Sequence, residues 1–260
     1  MAQSRHAGRF VLKGALLFRL WGLRDFRPTR DIDMLGYTSN EVETLVAIIK
    51  EVCKLEFQED GIRFDPEIVI GERIKEAADY EGVRLRFTGS LENIRLHLQI
   101  DVGFGDVVSP APVRKAYPVI LPMPAPELSS YPPETMVAEK LEAMIHLGSA
   151  NSRMKDFYDL WILAGRFEFE GQVLQKAIRQ TFKHRDTRIP DDEPVAFSAQ
   201  FALEKQAQWN AFLTTSSITD VPERLEVLLA RLQEFSLPIF VSLHADGEFK
   251  KTWRAGGSWT

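Results

Sequence analysis

Between residues 117 and 133 the chain carries six prolines, Pro118, Pro122, Pro124, Pro126, Pro132 and Pro133. That density constrains the fold more than any other stretch. Proline locks φ, donates no backbone hydrogen bond and pushes the residue before it out of the helical region, so neither a helix nor a central strand continues through. The segment predicts a stiff, extended connector between two regions of different periodicity. We therefore expect a domain of mixed strands and helices over residues 9–125, a helical domain over 126–242, and a loosely ordered tail over 243–260 that includes Ala255-Gly256-Gly257-Ser258.

Before the connector, the apolar run Phe10-Val11-Leu12 reads as a strand that stops at Lys13-Gly14, followed by a short buried helix from Ala15 to Trp21. A polar stretch over 22–30 breaks that helix and leads into a second strand, Asp31-Ile32-Asp33-Met34-Leu35. Val42, Leu45, Val46, Ile49 and Val52 then keep helical spacing, with Ser39 or Asn40 as a cap. Short strands follow at 67–70, 83–87 and 94–102, the last two alternating strictly. Alternation puts one face against a core and the other toward something polar, as in a mixed or largely antiparallel sheet backed by helices. The first half is thus expected to be α+β. Beyond the connector, helices are expected over 134–147, 153–164, 171–183, 197–213 and 222–235.

Composition enters mainly by exclusion. The formal net charge of −5 argues against a general nucleic-acid coat protein, although a local basic patch on an acidic body remains compatible with an RNA substrate. The single Cys53 forms no internal disulfide, and no Cys/His cluster has zinc-ligand spacing. No signal-like start and no membrane-length apolar run is present, so a soluble, cytoplasmic protein is expected. The five histidines are scattered, and neither a Gly-x-Ser-x-Gly elbow nor a Walker loop occurs, which sets aside hydrolase and P-loop chemistry.

What remains is carboxylate chemistry. In a strand, residues i and i+2 project to one face, so Asp31 and Asp33 point together while Ile32 and Met34 point away. Two adjacent carboxylates repel, and magnesium relieves that repulsion while keeping sites for substrate phosphates. Asp101, on the polar parity of its strand with His97 and Gln99, is a candidate third acid, either as a metal ligand or as a base. Asp-x-Asp is also a common solvated strand end. Its context is more specific, because Gly14 stands where a strand passes into a helix, a place where backbone amides gather an anion.

In the helical half, Lys140 lies between Met136 and Met144 at the edge of a buried stripe, where a lysine must snorkel or find an anion. Glu139 and Glu142 face away from that stripe. Asp156 is a structural partner or a site residue, and Asp159, one turn on, a brace. Lys176, Arg179 and Lys183, with Arg185 just beyond, form the one concentrated basic run: either a solvated helix face or a track for an RNA backbone.

The segment Leu12-Lys13-Gly14-Ala15, continued by Arg27-Pro28-Thr29-Arg30-Asp31-Ile32-Asp33, resembles the opening motif of the AbiEii/AbiGii-type toxin nucleotidyltransferases. These belong to the polymerase-beta-like superfamily and include the MenT toxins. Ala138-Glu139-Lys140-Leu141 resembles the family's Glu-Lys helix, and Arg153-Met154-Lys155-Asp156 its Arg-x-Lys-Asp helix. The resemblance implies a polymerase-beta-like nucleotidyltransferase domain followed by an α-helical domain. It implies that Asp31 and Asp33 hold Mg2+, and that Lys13, Gly14, Ala15, Arg30 and Lys140 contact the nucleotide. It also implies Asp156 in the active site, a tRNA 3′ end as acceptor, and a cognate antitoxin from a neighbouring gene. Ala15 stands where relatives commonly have Gly or Ser, leaving only its backbone amide to meet a phosphate. Transfer to a protein or small molecule, or binding of nucleotide or partner without catalysis, are the rival readings.

Overall fold

The computed structural model describes residues 1–23, 26–55, 61–77 and 80–260. Arg24 and Asp25, within the expected helix break, lie outside the described residues. The chain divides into two compact units, one formed by Met1–Asp106 with Pro112–Tyr131, the other by Val107–Ala111 with Pro132–Thr260.

The first unit is α+β. Its elements are β1 (Phe10–Lys13), α1 (Leu16–Leu20), β2 (Asp31–Gly36), α2 (Val42–Cys53), β3 (Ile62–Phe64), β4 (Ile70–Ala77), β5 (Tyr80–Leu91), β6 (Ile94–Phe104), β7 (Val113–Ala116) and β8 (Glu127–Ser130). They build a mixed sheet in the order β3-β5-β6-β2-β1-β8-β7, with β4 also on β5. β2 runs antiparallel to β1 and parallel to β6, which sets the acid-bearing strand in the sheet's interior. The alternation read from the sequence has its physical outlet here. Met34, Val83, Leu85, Ile100 and Val102 turn to one face and pack with Leu45, Ile48 and Ile49 of α2. Each such aliphatic side chain contributes roughly 1.5–3 kcal/mol by leaving water.

Two expectations need correction in this unit. Residues 67–70 were expected as a strand, but Pro66–Ile68 form a 3-10 turn that Asp65 caps by accepting from the Glu67 amide at 2.9 Å. The Asp-Pro pair favours that turn over extension, and the strand starts only at Ile70. The proline-rich stretch is likewise more than a connector. Its flanks zip into the β7–β8 hairpin, and β8 runs parallel to β1 through Leu12 and Ser130. The inner prolines fall in the loop between the two strands, where no ladder hydrogen bond is required. The boundary therefore lies between Tyr131 and Pro132 rather than at 125–126. At α2, Glu41 is the N-cap without a side-chain cap bond, while Ser39 Oγ accepts from the Glu41 amide at 3.2 Å.

The second unit is helical: α3 (Pro133–Leu147), α4 (Met154–Arg166), α5 (Gly171–His184), α6 (Ala199–Ser216) and α7 (Leu225–His244), with short strands β9 (Phe169–Glu170) and β10 (Thr252–Trp253). Pro133 occupies the first turn of α3, where its missing N–H costs nothing. α7 runs past the expected end at 235 and on through Pro238, because Phe235, Ile239 and Phe240 bury on both sides of the proline. The expected loose tail is also wrong. β10 pairs with β9, Trp253 is fully buried and donates its indole N–H to the Ala164 carbonyl at 2.7 Å. Trp259 donates to the Phe235 carbonyl at 2.9 Å. Single aromatic anchors leave no periodicity, so the sequence pattern missed them. Among the described residues no helix is long and apolar enough to cross a membrane.

Candidate active site

At the end of β1 the chain turns on Gly14, whose φ of +72° lies in the left-handed region. A Cβ on this residue would fall 2.0 Å from Asp33 Oδ2. The turn's backbone is thus pressed against the carboxylate, and only glycine allows that approach. Asp31 and Asp33 are partly exposed, while Met34 is buried in the core on the opposite face with Ile32 packed against it. α1 has only five residues and its dipole is correspondingly small. Any grip on an anion at this joint comes from the turn amides, including that of Ala15, the buried N-cap of α1.

The register brings the third acid alongside. Asp33 pairs with Asp101 and Asp31 with Gln99 across β2–β6, and Asp101 pairs with Arg84 across β5–β6. Gln99 Nε2 donates to Asp31 Oδ1 at 2.9 Å, and more weakly to Asp101 Oδ2 at 3.4 Å. Arg84 grips Asp101 with both arms, Nε to Oδ1 at 2.9 Å and Nη2 to Oδ2 at 2.7 Å. That fork raises the guanidinium's pKa above its ordinary value, chiefly through the Asp101 hydrogen bonds against a smaller opposing effect of burial.

The three acids therefore share a face without forming a three-carboxylate cage. Among the described residues no group of three or more His, Cys, Asp or Glu is arranged to hold a metal ion. Arg84 occupies both oxygens of Asp101. Two partly exposed carboxylates on a strand still suit magnesium, which is commonly held by one or two protein carboxylates and completed by substrate phosphates. Sequence reasoning missed Arg84. Its position on the polar parity of the 83–87 strand was legible, but its partner depended on register.

Lys13, expected at the nucleotide, is nearly buried. Its ammonium donates to Asp106 Oδ2 at 2.8 Å and lies 6.0 Å from the Tyr131 ring centroid. Arg30, just before β2, is exposed.

In the helical unit, Lys140 Nζ donates to Asp156 Oδ1 at 2.6 Å and sits 2.7 Å from Asp159 Oδ2. The Asp159 side chain is 0% exposed and that of Lys140 13%. The anion that Lys140 was expected to need is thus supplied twice by α4. Glu142, expected to face away, is buried. It accepts from Arg185 Nη1 at 2.8 Å and from the Thr187 hydroxyl at 2.6 Å, with Glu139 3.7 Å from the same guanidinium. Arg185 is therefore bound into the packing of α3 against α5 and leaves the basic run. Lys176, Arg179 and Lys183 stay exposed on α5 and pair with no acid among the described residues.

The model of the AbiEii nucleotidyl transferase toxins of type IV toxin–antitoxin systems matches residues 1–231. The chain belongs to the AbiEii family. Membership brings with it a nucleotidyltransferase class and implies an antitoxin partner. The crystal structure of JHP933 from Helicobacter pylori matches the fold with a TM-score of 0.51 at 15% identity, over 94% of this chain and 88% of that one. A second H. pylori crystal structure, of a chain provisionally described as a nucleotidyltransferase, gives 0.47 at 15% identity over 95% and 92%. No curated protein matches the AbiEii-family chain described here.

Proposed function

We propose that this protein transfers a nucleoside monophosphate from a nucleoside triphosphate to the 3′ end of an RNA, with tRNA as the first candidate, and so blocks translation. The observation that carries the proposal is the contact between the Gly14 turn and the Asp33 carboxylate, on a strand face shared with Asp31 and Asp101. Turn amides for phosphate and carboxylates for a cation then lie within one short stretch of chain.

In the reaction the terminal hydroxyl of the acceptor attacks the α-phosphorus. A new P–O bond forms, the α–β bridging bond breaks, and pyrophosphate leaves. Asp31 and Asp33 would hold Mg2+, which would neutralise charge on the triphosphate and make the attacking hydroxyl more acidic, its proton passing to solvent. The Gly14 and Ala15 amides orient phosphate oxygens, and exposed Arg30 adds positive charge at the entry to β2. Gln99 fixes the Asp31 carboxylate. Asp101, held by Arg84, acts as an anchored anion that positions the arginine, in place of the metal ligand or base expected for it. The resemblance implies Lys140 at the nucleotide and Asp156 in the active site, but Lys140 is held between Asp156 and Asp159, and we read the three as a charge-paired brace of the helical unit.

Incubating the protein with total tRNA, magnesium and each of four α-labelled nucleoside triphosphates, beside an Asp33→Ala control, tests the reading. Label on tRNA that disappears in the control supports it. Pyrophosphate release with no label in RNA moves the acceptor to a protein or small molecule.

A further inference from the structure

The sheet face that carries the acids does not end at Asp101. Reading outward along the β5–β6 register, Arg86 faces Gln99, Thr88 faces His97 and Ser90 faces Arg95, while Arg63 of β3 pairs with Ser90. Cross-strand partners project to the same side of a sheet, so all of these share the face of Asp31, Asp33 and Asp101. The intervening positions belong to the other face, where Phe64 and Phe87 pack against the core.

Arg63, Arg95 and His97 are exposed, and among the described residues none of them has an ion-pair partner. Arg86 is matched by Glu72 at 2.8 Å. Arg84 is held by Asp101 and Arg86 by Glu72, so the unmatched positive charge on this face is that of Arg63 and Arg95 at its outer end. From Asp101 to Arg95 the strip extends about 20 Å at ~3.4 Å per residue. That length accommodates several nucleotides of a single strand whose end reaches the acids. The groups on offer are guanidinium, imidazole and hydroxyl, which hold phosphate oxygens and leave base identity unread.

We propose that this β3–β5–β6 face is the acceptor track: it binds the phosphate backbone of single-stranded RNA and directs the strand's 3′ end toward Asp31 and Asp33. The inference rests on the nucleotidyl-transfer reading above for its direction, and on the sheet register for its location.

The test separates the two. Binding of a 5′-fluorescein 12-nucleotide single-stranded RNA is followed by anisotropy across a salt series for four proteins. These are the wild type, Arg63→Glu/Arg95→Glu, Arg95→Lys, and Lys176→Glu/Arg179→Glu/Lys183→Glu on α5. Binding of a fluorescent ATP with magnesium and the thermal midpoint report on the integrity of each. The hairpin double variant is expected to bind RNA at least about tenfold more weakly. Loss of two phosphate contacts should also flatten its log–log salt dependence by about 1.4. ATP binding and thermal midpoint stay unchanged, and Arg95→Lys stays close to wild type. Wild-type RNA affinity in the double variant overturns the track while leaving nucleotidyl transfer intact, as does a loss confined to the α5 variant. A wild type that neither binds nor labels RNA overturns both readings. RNA binding that depends on Arg63 and Arg95 without labelling upholds the track and removes the transfer reading.

Discussion

Asp31 and Asp33 on β2 and Asp156 and Asp159 on α4 are both close-set acid pairs, yet their surroundings assign them opposite work. On β2 the pair is partly exposed, Asp31 accepts from a neutral amide, and a glycine turn packs against Asp33. On α4 Asp159 is fully buried and one ammonium serves both carboxylates. Removing a carboxylate from water demands a counter-charge, and Lys140 supplies it within the helical unit. Carboxylates at a solvent-reaching strand face remain able to take an ion and its phosphates. The difference teaches that exposure, more than the spelling of a motif, separates an acid pair open to substrate from one suited to bracing.

The sharpest way to break this comparison is Asp33→Ala. It is expected to lower nucleotidyl transfer by about a thousandfold, the several kcal/mol of transition-state stabilisation that a lost metal site removes. The thermal midpoint should barely move, because the side chain is partly exposed. The transfer assay beside a melting curve checks both halves. A large fall in the midpoint would mean that the β2 pair is also a structural element.

Lys140→Met tests the other pair. Leaving Asp156 and Asp159 without their ammonium should cost about 3–5 kcal/mol, read as a lower urea midpoint at unchanged slope. A Lys140→Met protein of wild-type stability that fails to transfer nucleotide would erase the distinction drawn here and make Lys140 a substrate contact before all else.

Gly14→Ala comes next in size. The left-handed conformation costs a residue with a side chain about 1–3 kcal/mol. The added methyl must also displace the Asp33 carboxylate. Transfer should fall by more than the loss of stability explains, and magnesium titrations of activity should show a raised half-saturation. An alanine variant with wild-type magnesium dependence would separate the glycine turn from the metal-binding acids.

How much of this was legible in the sequence differs between the units for a physical reason. Period-2 alternation in 83–87 and 94–102 placed Asp101, His97 and Gln99 on one parity, and Gly14 was legible as a turn at the end of its strand, because both depend on local geometry. Arg84 on Asp101 depends on which residue of β5 faces which residue of β6, a register that alternation alone leaves open. In the helical unit, spacing recovered the five long helices. Wheel position alone turned Glu142 outward, whereas the structure buries it against Arg185 and Thr187. The tail failed for a related reason. Trp253 and Trp259 are held by indole hydrogen bonds to carbonyls distant in sequence, Ala164 and Phe235, and neither contact leaves a repeat to read.

The smallest expected effect belongs to Gln99, and it bears on how the acid face is held together. Its amide donates to Asp31 and reaches Asp101, so it ties the exposed acid to the arginine-bound one. Gln99→Leu keeps the side chain's bulk and removes the donor. A net hydrogen bond of this kind contributes about 0.5–1.5 kcal/mol, or more where the acceptor is charged. Transfer is expected to fall by roughly three- to tenfold through looser placement of Asp31. The loss should be larger at low magnesium, where the ion no longer orders the carboxylate by itself. Gln99→Glu is the sharper variant: it adds a third negative charge beside Asp31 and Asp101, and if Gln99 only fills space the two substitutions should behave alike. A clear separation between them, read as activity against magnesium concentration, would place the amide's hydrogen in the organisation of the acid face.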